Sequence, residues 1–194
     1  MKYIKEYNEY VDPFDEEDYE VKPDGTFLTW LKSECPDESE WKNIGTIYCY
    51  NQNLTDLIGV DKLINLKYLS CNRNQLTELN ISKNINLKTL YCNNNQLRKL
   101  DVTKNINLGG LYCHRNELTE LDLSKNINLK QLYCFNNQLR ELDVTKNINL
   151  LNLSCHHNRL SELDVTKNIN LERLFCYLNQ LTELDLSKNI RLKK

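Results

Sequence analysis

Six cysteines, Cys71, Cys92, Cys113, Cys134, Cys155 and Cys176, recur every 21 residues, and Cys49 precedes the first of them by 22. A fixed period of this length means one structural unit stacked on itself, and few chains are more tightly constrained. Around the cysteines the chain reads L-x-x-L-x-C-x-x-N-x-L-x-x-L-D-[VL]-[ST]-K-N-I-N. With the first Leu as position one, seven units begin at Ile44, Leu66, Leu87, Leu108, Leu129, Leu150 and Leu171, and an eighth is a stub from Leu192. Gln52 holds position nine of the first unit, where the others carry Asn74, Asn95, Asn116, Asn137, Asn158 and Asn179; Asn53 next door is a candidate substitute.

Each unit mixes two patterns. In Thr89-Leu-Tyr-Cys-Asn93 the residues alternate, which is a strand: Leu90 and Cys92 face one way, Thr89, Tyr91 and Asn93 the other. Asn95 falls where the strand ends, and identical amides there form a ladder that satisfies turning backbone. The remainder returns along the outside, with Leu97, Leu100, Val102 and Ile106 expected inward and Thr103 expected to cap a short helical turn. A unit this small cannot bury enough surface alone, so stability must come from stacking, and both ends need covers.

Leu66 to Leu76, "LKYLSCNRNQL", and its six relatives resemble the leucine-rich-repeat family. Cys stands where that family more often has Leu, and the short unit looks like the bacterial members. The resemblance covers residues 44–194. It implies an α/β repeat solenoid, a right-handed superhelix with a parallel β-sheet on its concave face and short turns or 3-10 segments on its convex face. It also implies a protein ligand held on the concave face.

Residues 1–43 read as a helical N-terminal cap with an acidic loop, and 44–194 as the solenoid. Tyr3, Tyr7, Tyr10 and Val11 have helical spacing, and a second helix is expected within Thr26 to Glu34, ended by Pro36. Charge divides at the same boundary: residues 1–43 carry 13 acids and 5 bases, net −8, and 44–194 carry 14 acids and 20 bases, net +6. The C-terminus has no evident cover. A continuing chain, a charged rim of Arg191, Lys193 and Lys194, or end-to-end pairing of two copies would each blunt it.

The overall net charge of −2 gives no reason to expect nucleic acid, and no apolar run approaches membrane-spanning length. As it stands the chain suits the cytoplasm. If a leader has been removed it suits the cell surface, and the sequence leaves both open. The cysteine ladder lacks the close pairs that zinc needs, and fanned side chains on adjacent strands exceed disulfide reach. Buried, unreactive thiols are expected, with Cys35, outside the ladder, as the reactive one. His114 and His156 lie two strands apart, about 10 Å, too far to share an ion. His156 and His157 should diverge. The columns Asp101 to Asp185 and Lys83 to Lys188 look like a solvated mixed-charge face. No phosphate loop, nucleophile elbow or zinc-protease motif occurs, so the sequence predicts neither an enzyme nor a cofactor.

Variation concentrates on one surface. Position five holds Tyr48, Ser70, Tyr91, Tyr112, Tyr133, Ser154 and Phe175; position seven holds Tyr50, Asn72, Asn93, His114, Phe135, His156 and Tyr177. Tyr68 and Arg173 at position three, Arg73, Arg115 and His157 at position eight, and Glu117 and Arg159 at position ten join them. Positions three, five and seven are expected to face outward from the sheet, with positions eight and ten flanking them. Aromatic and Arg-bearing patches bind proteins, and a partner with an acidic or mixed surface is expected. The alternatives are a glycan on the tyrosines, a self-assembling repeat, or cross-strand stacking that serves only the scaffold.

Overall fold

The computed structural model describes residues 26–193. The first expected helix and the acidic loop lie outside the described residues. Seven strands of three residues follow one another: β1 Thr46–Tyr48, β2 Tyr68–Ser70, β3 Thr89–Tyr91, β4 Gly110–Tyr112, β5 Gln131–Tyr133, β6 Asn152–Ser154 and β7 Arg173–Phe175. They form one parallel sheet in chain order. Register follows the period, so Leu69 pairs with Leu90 and Leu90 with Leu111. The backbone ladder runs past the three-residue core, since Cys71 N–H donates to Tyr91 O at 2.8 Å and Arg73 N–H to Asn93 O at 2.9 Å. Position eight then turns left-handed, with φ of 52–54° at Arg73, Asn94, Arg115, Asn136, His157 and Leu178. This turn bends the chain off the sheet, which lines the concave side of the solenoid.

Leucines of positions one, four, eleven and fourteen fill the interior with the cysteines and the branched residues of position sixteen. Ile106 is not among them. It is 52% exposed, as are its equivalents Ile85, Ile127, Ile148 and Ile169 to within a few per cent. Two successive tight turns, Asn105 N–H to Val102 O and Leu108 N–H to Asn105 O, swing position twenty outward. The inward place belongs to Asn105, which is fully buried. Its amide donates to Ile81 O at 3.0 Å and Asn84 O at 2.9 Å, both in the preceding repeat. Asn84, Asn126, Asn147, Asn168 and Asn189 do the same. A further row at position twenty-one, such as Asn107 to Ile85 O at 3.1 Å, repeats the move near the surface.

The expected ladder at position nine is present. Asn95 donates to Cys92 O and to Cys71 O, both at 3.1 Å, and accepts from Leu76 N–H at 3.0 Å. In the first repeat Asn53 does not substitute. Gln52 itself donates to Tyr50 O and Asn51 O, while Asn53 accepts from Gln75. Thr103 is not the cap either. Asp101 accepts from Thr103 N–H at 2.9 Å and from its hydroxyl at 2.6 Å, so the aspartate column closes turns as well as facing solvent.

Helix α1, Phe27–Glu34, stops two residues before Pro36, whose ring disfavours helical backbone at Cys35. Phe27, Leu31 and Trp41 join the core of the first repeat. Trp41 indole N–H donates to Cys35 O at 2.9 Å, and Glu38 reaches Lys62 at 3.7 Å. The extra residue of the 22-residue first unit is absorbed at Gly59, whose φ is +100° and whose missing side chain leaves room for Leu28.

Candidate functional site

The concave face carries two staggered aromatic columns. The first runs Tyr48, Tyr68, Tyr91, Tyr112, Tyr133, with ring centroids 5.1, 5.5, 4.1 and 5.0 Å apart. Tyr68 enters from position three because position five of its strand is Ser70. The second runs His114, Phe135, His156, Tyr177 at position seven, with centroids 4.2, 4.4 and 4.5 Å apart and nearly parallel rings. Repeats of about 4.8 Å bring equal positions to stacking distance, so a β-ladder of rings is a ladder of π-contacts. Where position five is Ser, its hydroxyl serves the second column: Ser70 bonds Asn72 at 2.7 Å and Ser154 meets His156 Nδ1 at 3.0 Å.

Stacking corrects the expectation that position seven lies open. His114 is 1% exposed and Phe135 4%; Phe135 is closed between the rings of His114 and His156, while His114 ends the column, and Asn93 at the same position of the preceding strand is fully buried. Tyr112 is buried too. It leans over Gly110 and its hydroxyl bonds Gln131. Tyr50, Tyr68, Arg73, Tyr91, Tyr133 and His156 are half-buried. Fully open are Tyr48, Arg115, His157, Arg159, Arg173, Phe175 and Tyr177, the last 54% exposed. His157, expected to point away from His156, meets it edge to face at 5.4 Å.

Burial governs the electrostatics. It pushes the His114 imidazolium down to about 3, helped by Arg115 and His156, and it also lowers His156, with His157 adding to the effect. Both rings are therefore neutral at pH 7. Glu117, the one acid at these positions, pairs with Arg98 at 3.0 Å, which leaves the arginines to set the sign of the face.

The eight thiols are free, and Cys49 to Cys155 are fully buried. Burial lifts Cys71 and Cys113 to about 12. Cys35 departs from the expected reactive thiol. It is 8% exposed, and burial, Asp37 and Glu40 all raise it. Cys176, half-buried just past β7, is the more accessible. No group of three or more His, Cys, Asp or Glu among the described residues is gathered as a metal site.

No family model matches the chain, and no curated protein does. Solved structures do. The functional domain of InlJ from Listeria monocytogenes, described as including a cysteine ladder, is 36% identical over 80% of this chain with a TM-score of 0.68. A leucine-rich-repeat protein of Leptospira interrogans is 24% identical over 81%, TM-score 0.75, and YopM, a leucine-rich effector of Yersinia pestis, is 26% identical over 71%, TM-score 0.62. The chain spans 39%, 44% and 39% of these structures respectively. Seven in-register units, one parallel sheet and these likenesses place the chain in the leucine-rich-repeat family, in its short 21-residue form with a cysteine ladder.

Proposed function

We propose that the chain is a protein-interaction module that reads its partner on the concave face. The observation that carries this is the contrast between a rim of open aromatic and basic groups and two acids that are already paired, Glu117 with Arg98 and Glu172 with Lys193. Arg173 projects from β7, and Arg115, His157, Arg159 and Tyr177 from the turns that follow β4, β6 and β7, beside the stacked rings of position seven. Rigid aromatic and Arg groups bind with little loss of side-chain freedom, the property that concentrates binding energy in a few contacts. The likeness to a leucine-rich effector supports the class of function. The buried rings, Tyr112, His114 and Phe135, serve as the base that holds the open ones.

A glycan reading is less favoured. Sugars stack on open ring faces, and in the parallel Tyr91–Tyr112 pair, 4.1 Å apart, the rings cover one another. The same argument weighs against single-stranded nucleic acid.

The test is site-specific photo-crosslinking in extract of the source organism. A benzophenone side chain replaces Arg115 on the concave face or Lys125 on the convex face. One protein captured from Arg115, absent from Lys125, and lost on adding Arg159→Glu and Tyr177→Ser is the expected result. Equal capture from both faces would discard the concave site.

A further inference from the structure

The concave face has a notch that the scaffold does not require. Strand β4 begins at Gly110, and Gly109 precedes it; no other Gly-Gly occurs in the chain. Gly110 has a local reason, because a Cβ there would meet the Tyr112 ring at 3.2 Å. Gly109 has none. Its backbone is not left-handed, and an added Cβ would meet only Lys88 O at 3.8 Å and Asn128 O at 3.9 Å, ordinary contacts. Glycine inside a strand weakens it and commonly marks close approach by something else. At the same position the neighbouring repeats carry Lys88 and Lys130, both exposed. Between them lies an open groove of about 620 Å³, lined by Tyr91, Tyr112, Thr89 and Gln131 among others, with no acid in its lining.

We propose that this notch is a subsite for one carboxylate side chain of a protein partner, seated on Gly109–Gly110 between the ammonium groups of Lys88 and Lys130. The lysine stems, two strands apart, stand about 10 Å from each other, which leaves room for a carboxylate to take a charge-assisted hydrogen bond from each side. Had position two held lysine here too, the three ammonium groups would form an unbroken row with no opening. This rests on the reading of the concave face as a protein-binding surface, and it names one feature of the partner: an acidic residue that projects far enough to enter.

Amide NMR tests it directly, since Gly109 and Gly110 are two of only five glycines. The probes are acetyl-Gly-Glu-Gly-amide, its Gln counterpart and inorganic phosphate. Saturable shifts of both glycine amides with the Glu peptide, about tenfold weaker with the Gln peptide, are expected for two charge-assisted contacts. Gly109→Lys, which restores the neighbours' residue, should abolish the response while leaving the melting temperature unchanged or raised. Lys88→Gln with Lys130→Gln, both on the surface, should also abolish it and covers the case in which Gly109→Lys misfolds. Unmoved glycines, an equal response to the Gln peptide, or shifts with phosphate alone would overturn the subsite. None of those results bears on the crosslinking from Arg115, so the notch and the concave face fail separately.

Discussion

Two asparagines two residues apart show how differently the same side chain can be used. Asn95 makes hydrogen bonds to two repeats. Asn93 is fully buried where Asn95 is only half-buried, yet neither Asn93 amide atom has a hydrogen-bond partner among the described residues. Removing an unpaired buried amide relieves a desolvation cost, whereas removing a paired one strands its partners. Asn93→Leu is expected to leave stability unchanged or raise it by about 1 kcal/mol, and Asn95→Leu to lower it by about 2–3 kcal/mol, as measured by urea unfolding. Asn126→Ala removes the amide donated to Val102 O and Asn105 O, each of which keeps a backbone N–H from its own tight turn, and should cost less, about 1–2 kcal/mol. At the thiols, mass spectrometry after brief alkylation of native protein should find the label on Cys176 first, with Cys49 to Cys155 silent until unfolding. First labelling at Cys35 would contradict the burial described above.

At the level of single elements, the strands were plain in the sequence and their outer faces were not. Leu90 and Cys92 point inward as alternation requires, because period two is a property of the backbone. The fate of Asn93, His114 and Phe135 depends on what neighbouring strands place beside them, and alternation within one strand carries no such information. Ile106 departs from its expected inward place for a related reason. An apolar residue near the end of a unit suggests burial, but the paired turns give that place to Asn105, whose amide is needed by backbone carbonyls of the repeat before it. The histidine column makes a prediction at this scale. Its folded-state pKa values lie below that of a free imidazole, so the unfolded chain takes up protons first as pH falls. Stability from this source is whole above about pH 6.5 and declines below it, by at most about 1.4 kcal/mol per pH unit for His114. Urea midpoints between pH 7 and 5 should fall in the parent chain and flatten in His114→Phe. The aspartates, also lowered, act only below about pH 4 and leave this window clear.

Across the whole molecule, the fold was legible because the period is exact from Cys71 onward, and each unit has equivalent neighbours. Deleting Leu129 to Asn149, one full period, should leave a protein with a single cooperative melting transition at a lower temperature; deleting half that length, residues 129–139, should abolish the transition, as calorimetry would show. The site was less legible, since openness depends on stacking between repeats. The buried asparagines also have a direction. At positions nineteen and twenty-one every amide donates toward the N-terminal neighbour. The first repeat, which has no preceding repeat to receive such a bond, carries Leu63 where the others carry Asn, and Asn65 reaches back to Lys42 O at 2.8 Å. In a chain made N-terminus first, each new turn therefore brings the donors of these two asparagine rows to acceptors already standing, while strand amides such as Cys71 N–H wait for the turn that follows them.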